Sequence, residues 1–419
     1  MHQPSNTGGI NQRKNLYTYK RLMKIPPLGF VDDLATISVC GIDLVMANVF
    51  INTQIEMKKL EFGIEKCHKL HIGKENLFCP ILKVHGKEFD ISHEESYLGD
   101  VISDTIENNG SNNKNIKKRK GRAIGLISQT TNILKTVSLG YFYFEIAIQF
   151  RDSLLMSSLL FNAEVWYNIT NSQMNELLQV DKLYLRRILE VPDSCPIASM
   201  FLELGLVPLS FIVQGRRVLY LHYILNTSKN EMLYNFYKVQ QKHPVPGDWT
   251  TTVQSDLSDL NINLSEEQIQ NISKENFASL VKRKIRIAAF ENLMKTKASL
   301  FKMSSLNYKE LKVQDYLKSS DITTTEKKQI FLYRTRMVRN FAVNFKNSAT
   351  DLSCPLCHST PDCQNHLLNC KEIATVMPEI STTEVQYEDI FENDPDKMKN
   401  AIKLLDKAMI KRNELLAQP

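Results

Sequence analysis

The sequence predicts an α+β fold that is mainly α. Three observations carry this. Short apolar runs rich in β-branched and aromatic residues are confined to residues 26–105. Beyond about residue 106, apolar residues recur at helical spacing behind Ser and Thr capping signals. Of the eight cysteines, four fall between Cys354 and Cys370 beside a histidine at metal-ligand spacing.

Composition bounds the rest. A chain of 419 residues with 43% apolar and 23% charged residues is long enough for two or three globular domains. A net charge of +6 is mildly basic, so the placement of charge matters more than its total. The first 25 residues are polar and basic without the apolar core of a secretory signal. The most apolar stretch, Tyr141 to Tyr167, is interrupted by Glu145, Arg151, Asp152 and Glu164, which argues against a membrane span. Clustered rather than scattered cysteines suggest a metal site in a reducing compartment, hence an intracellular protein of cytoplasm or nucleus.

Taken in order, residues 1–25 read as an irregular lead-in, and no Asp or Glu precedes Asp32. Pro26-Pro27 opens the strand-bearing part. Two apolar runs flank Asp32-Asp33, which predicts a hairpin with both acids at its tip. Adjacent carboxylates repel, and a hard divalent cation such as Mg²⁺ gives them a reason to coexist. Ile42 to Leu60 suits an amphipathic helix, with Ile42, Val45, Met46, Val49, Phe50 and Met57 on its apolar side. Lys59 to Cys67 follows. Phe78 to Phe89 reads as strand, tight turn at His85-Gly86-Lys87, strand. Tyr97-Leu98-Gly99 leads into a further strand.

Residues 106–226 open on an Asn-rich stretch that becomes a helix running to about Lys135. Its first half carries Lys114, Lys117, Lys118, Arg119, Lys120 and Arg122 with no acid among them. Six such cations suit phosphate contacts. Tyr141 to Asn162 reads as one apolar-rich helix. Thr170-x-x-Gln173 caps another that runs to about Glu190, and Pro192 and Pro196 punctuate. A short helix ends at Phe201 to Pro208, and Phe211 to Leu225 carries Arg216-Arg217. In residues 227–350, Pro244, Pro246 and Gly247 make a break. Helices are expected at 249–260, at 265–270 behind Ser265-x-x-Gln268, at 273–296 and at 324–346.

Residues 351–372 form the second chemical constellation. Cys354-x₂-Cys357-x₈-His366-x₃-Cys370 offers three thiolates and an imidazole, the donor set of tetrahedral Zn²⁺. Four protein ligands leave no open position, so such a site is structural. Cys363 and His358 are further candidates for the quartet. The tail, 373–419, ends in a helix from about Pro395 to Leu416. Its acids Glu384, Glu388, Asp389 and Glu392 lie in no strand pattern, which argues against a nuclease site.

Several of these runs, in this order, resemble reverse transcriptases of non-LTR (LINE-type) retrotransposons. They are Phe30-Val31-Asp32-Asp33, Lys59 to Cys67, Tyr97-Leu98-Gly99, Glu164-Val165-Trp166-Tyr167, Arg186-Arg187, Leu202 to Pro208 and the Cys-Cys-His-Cys knuckle. The resemblance implies a partial palm over 26–105, a thumb and connecting helices over 106–226, a helical C-terminal region and a zinc knuckle. It makes Asp32 and Asp33 ligands of catalytic Mg²⁺ and Lys66 a proton donor to departing pyrophosphate. It places Tyr97 and Gly99 in the hairpin that grips the primer end. The partners it implies are an RNA template and an RNA–DNA or DNA duplex, with no membrane. Two-metal polymerases also need a third carboxylate, from a strand preceding the Asp-Asp hairpin. With no acid before Asp32, the chain by itself is expected not to extend a primer. The alternative is a zinc-containing nucleic-acid-binding or scaffold protein whose Asp-Asp hairpin is vestigial.

Overall fold

The computed structural model describes residues 28–30, 33–38, 41–59, 63–72, 80–84, 86–104, 110–229, 231–338, 341, 351–392 and 394–417. The lead-in, Asp32, Leu60 to Phe62 and the far end of the helix expected at 324–346 lie outside these residues. Those described are mainly helical with a few small sheets, as the sequence predicts.

Strands β1 (Leu28–Phe30) and β2 (Asp33–Ala35) pair antiparallel, with Phe30 opposite Asp33. Asp33 therefore opens the second strand of a hairpin. Helix α1 (Gly41–Met57) follows. Asn48 and Asn52 donate their side-chain amides to the Lys83 carbonyl at 3.1 and 2.9 Å, which fixes that side against the next strands. On the other side Ile42, Met46, Val49, Phe50 and Met57 are each more than half exposed. The apolar stripe expected to face a core faces outward, because the Asn-bearing side takes the strands.

The remaining strands form separate two-stranded sheets among the described residues. β3 (His68–Leu70) pairs with β6 (Asp90–Ser92), and β4 (Lys83–Val84) with β5 (Lys87–Glu88). β7 (Glu94–Tyr97) pairs with β8 (Asp100–Ser103). The partial palm that the resemblance implies has short antiparallel strands, but β3 and β6 run parallel. The β4–β5 hairpin lies in the crossover between them and returns the chain in its original direction. The Leu98-Gly99 turn has positive φ at both residues, the twist that tight hairpins favour.

The helical body starts with α2 (Gly110–Thr136), close to its predicted span. The single helix expected at 141–162 runs without interruption from Tyr143 to Leu159 but contains a π turn. It comprises α3 (Tyr143–Phe150), a π turn at Arg151–Leu155 and α4 (Met156–Leu159), and ends on left-handed Asn162. The π turn carries Arg151 inward. Its guanidinium is 1% exposed, bonds both carboxylate oxygens of Asp181 at 2.8 and 2.7 Å, and reaches the Val207 carbonyl. A local reading of apolar spacing does not foresee a charge that finds its partner 30 residues away.

Helix α5 (Asn171–Leu189) begins at the predicted capping box of Thr170 and Gln173. Helix α6 (Ile197–Leu204) stops at Gly205, whose φ of +61° and closeness to Lys312 and Val313 backbone leave no room for a side chain. After α7 (Leu209–Asn226) comes α8 (Met232–Lys242), which the sequence reading left without an element. Asp248 then caps α9 (Trp249–Asp259), and Ser265 with Gln268 caps α10 (Glu266–Asn271). The body continues through α11 (Lys274–Ala298) and α12 (Asp315–Lys318) to α13 (Thr324–Arg334). Helix α13 is shorter than its expected span to 346, because left-handed Arg336 turns the chain out of the helix.

Two apolar cores form. The larger runs from Ile116 to Ala408, and a smaller one groups Val218 to Val281. Helix α7 spans both, with Leu209 and Val213 in the first and Val218, Leu221 and Ile224 in the second. The knuckle helices α14 (Gln364–Leu367) and α15 (Lys371–Val376), the short α16 (Glu379–Thr382) and the last helix α17 (Pro395–Leu416) close over the larger core. Among the described residues, no single helix is long and apolar enough to cross a membrane.

Candidate metal centre

The chain from Leu352 to Asp362 folds back on itself. Cys354 donates its backbone N–H to the Thr360 carbonyl at 2.7 Å, and Asp362 donates to Leu352 at 2.7 Å. His358 takes the left-handed turn at the tip and donates to the Cys354 carbonyl. This loop presents Cys354 and Cys357. His366 comes from α14, and Cys370 caps the start of α15. The i, i+4 spacing predicted one helix for His366 and Cys370; they sit on consecutive short helices that still bring them together.

The ligand atoms of Cys354, Cys357, His366 and Cys370 all lie within 4.8 Å of one another. The Cys354 and Cys370 sulfurs are 4.0 Å apart, and Cys357 Sγ is 3.2 Å from His366 Nε2. A tetrahedron with bonds of about 2.3 Å to sulfur and 2.0–2.1 Å to nitrogen has edges of about 3.5–3.8 Å. The four groups can therefore hold a metal ion. His358 and Cys363, open alternatives in the sequence, fall outside this group.

Electrostatics point the same way. The Ser359 hydroxyl and backbone N–H, with Thr360 and His366, hold the Cys357 thiol down to about 5. Burial, with Cys354 and Cys357 alongside, pushes the Cys370 thiol up to about 11. Three sulfurs this close cannot all ionise without a compensating cation. Thr360 Oγ1 lies 3.0 Å from each ring nitrogen of His366, and Ser359 Oγ donates to Cys357 Sγ at 3.3 Å. The sequence reading missed these two hydroxyls; their place just after Cys357 was the available signal. With Cys354, Cys357 and Cys370 all buried, an ion held by the four groups would have no open coordination position. Arg412 of α17 anchors it by bonding both oxygens of Asp362 at 2.8 and 2.9 Å, an ion pair under 7% exposed on each side.

The other candidate residues are placed as follows. Asp33 lies on β2, and Lys66 is exposed on the short helical turn Ile64–Lys66. The hairpin carrying Tyr97 and Gly99 packs on the basic start of α2. Asn115 bonds both backbone groups of Val101 at 2.7 and 2.9 Å, and Lys118 Nζ reaches the Gly99 carbonyl at 3.4 Å. Lys114 pairs with Glu94, and Lys120 lies 3.7 Å from Glu176. Lys117 and Arg122 are exposed.

Arg119 departs from the expectation of a phosphate-facing cation. It is 4% exposed, paired with Asp100, and stacked 4.7 Å from the Trp166 ring centroid. Asn162 holds the other Asp100 oxygen at 2.6 Å. Arg119 thus ties the hairpin to the helical body. It lies on the buried face of α2 with Ile116, Ala123 and Ile127.

Compared with family models, with curated proteins and with solved structures, the chain finds no match.

Proposed function

We propose that this chain is a nucleic-acid-binding part of a non-LTR-type reverse transcriptase, with a structural zinc ion at its C-terminal knuckle. The observation that carries the reading is the seating of the Leu98-Gly99 turn on the basic face of α2. A turn that the resemblance assigns to gripping the primer end and a basic run suited to phosphate contacts then share one surface. Cys354, Cys357, His366 and Cys370 would hold the zinc, which supplies rigidity and no reactive position. Asp32 and Asp33 would contribute to a Mg²⁺ site and Lys66 would donate a proton to the leaving group. Completing that site needs one more carboxylate, so the chain alone binds without extending a primer.

The test is binding of the zinc-loaded chain to an RNA–DNA hybrid across a salt series. Among the described residues, no carboxylate pairs with Lys117, Lys118 or Arg122 of this face. Three phosphate contacts give a log–log salt slope of about −2.7 on duplex, against about −5.4 for all six basic residues. Replacing the three by Gln should remove most of the affinity and flatten the slope. Salt-independent binding, or none, sinks the reading, and templated synthesis by the chain alone sinks its catalytic part.

A further inference from the structure

Two apolar surfaces of this chain lie uncovered, one convex and one concave. The convex one is the outward stripe of α1, whose second half presents Val49, Phe50 and Met57, each more than half exposed. The concave one is a groove of about 330 Å³ between α3 and α12. One wall of it is a helical stripe of Tyr141, Phe144 and Ile148 at i, i+3 and i+7, with Glu145 beside it. Leu317 and Lys318 form the other wall. Phe144 and Leu317 belong to the larger core, so the groove is apolar at depth, while Tyr141, Glu145 and Lys318 are exposed at its rim. A groove lined in this way on two turns of helix suits the apolar face of another helix.

Charge selects the occupant. Among the described residues, neither Glu145 nor Lys318 is ion-paired, although both line the same groove. The α1 stripe carries their complement. At the helical period, Glu56 falls on one flank of Val49, Phe50 and Met57, and Lys58 falls on the other. Lys58 keeps the helical turn by donating its backbone N–H to the Gln54 carbonyl at 3.1 Å. Both side chains are exposed, and among the described residues neither is ion-paired. A helix laid in the groove with its acid toward Lys318 therefore brings its cation toward Glu145. A partner carrying charge of one sign would leave one wall facing its own charge.

We propose that the second half of α1 in one copy of this chain docks in the α3–α12 groove of a second copy. Val49, Phe50 and Met57 fill the groove, Glu56 meets Lys318, and Lys58 meets Glu145. The two surfaces differ, so the contact is heterologous. Each copy inserts its stripe into one neighbour and offers its groove to another, and assembly continues until a ring closes. A patch of this size belongs to the weak, transient class of interfaces, so assembly requires high concentration.

Sedimentation velocity on the full chain across a concentration series tests this. The unmodified chain should grow past the monomer as concentration rises. Phe50→Glu removes an anchor and should weaken assembly about tenfold or more. Glu56→Lys and Lys318→Glu each set like charges across the contact and should each weaken it about 3- to 10-fold. In an equimolar mixture of those two chains, every contact between unlike chains joins opposite charges, so the mixture should recover the assembly of the unmodified chain. A general effect of net charge on solubility would show no such recovery. All three side chains are exposed, so melting temperatures should stay unchanged. Lys318→Glu assembling like the unmodified chain, or a mixture no better than its components, overturns the proposal. Dimers that ignore Lys318→Glu would mean that α1 pairs with α1, which also overturns it, as does an unmodified chain that stays monomeric.

Discussion

At the scale of single residues, the molecule repeatedly buries an arginine against a carboxylate from a distant element. Arg217 bonds both oxygens of Asp256 at 2.6 and 2.8 Å. Arg334 meets Glu203 at 3.1 Å, and Arg151 is held by Asp181. A buried pair of this kind contributes little net stability over an apolar pair, but losing one member strands the other at about 3–5 kcal/mol. These pairs therefore select one packing of the helices more than they strengthen it. Asp406 on α17 lacks such a partner. Burial pushes its carboxyl up to about 6, with Gln329 pulling it down and Glu326 adding to the rise. A carboxyl raised in the folded state favours the fold when protonated, and that advantage disappears as pH climbs from about 4 through 6. Asp406→Asn should therefore raise the melting temperature at pH 7 and leave it unchanged near pH 4. A scan of both proteins at the two pH values checks this; equal shifts at both would count against it.

At the scale of elements, the knuckle is continuous with the core. Cys354, Cys357 and Cys370 belong to the same apolar cluster as Ile373, Ile402 and Leu405. The four candidate metal ligands thus draw a short loop and two short helices together on this core. Removing the metal should loosen residues 351–376 and carry α17 with them, because Arg412 is anchored to Asp362 of the loop. Chelation should lower the melting temperature and speed amide exchange in both segments, with α8 to α10 unchanged. Cys354→Ser should behave like the chelated protein. Exchange that stays slow in α17 after chelation would show that the loop and the last helix are independent.

At the scale of the whole molecule, residues 28–104 bury few side chains among those described, chiefly Leu82 and Val84. The helical body by contrast holds two packed cores. The outward stripe of α1 and the open edges of four small sheets leave apolar and hydrogen-bonding surface uncovered. The isolated chain should associate at high concentration. Met46→Lys with Phe50→Glu should reduce that association without lowering the melting temperature, since both side chains are more than half exposed. Light scattering and a thermal scan on the same samples test it. A stable monomer at high concentration in the unmodified chain would remove the premise.

Local chemistry was legible wherever a few neighbouring residues settle the outcome. The capping boxes at Thr170 and Ser265, the turn between β4 and β5, the span of α17 and the Cys-Cys-His-Cys quartet all follow from short-range hydrogen bonding or ligand spacing. What the tertiary structure alone decided depends on partners far along the chain. The π turn at Arg151 is matched by Asp181, the inward turn of Arg119 by Asp100 and Trp166, and a cleft beside the candidate metal centre joins Phe301, Arg336 and Gln364. Spacing reports which face of a helix a residue occupies, but only packing determines what that face meets.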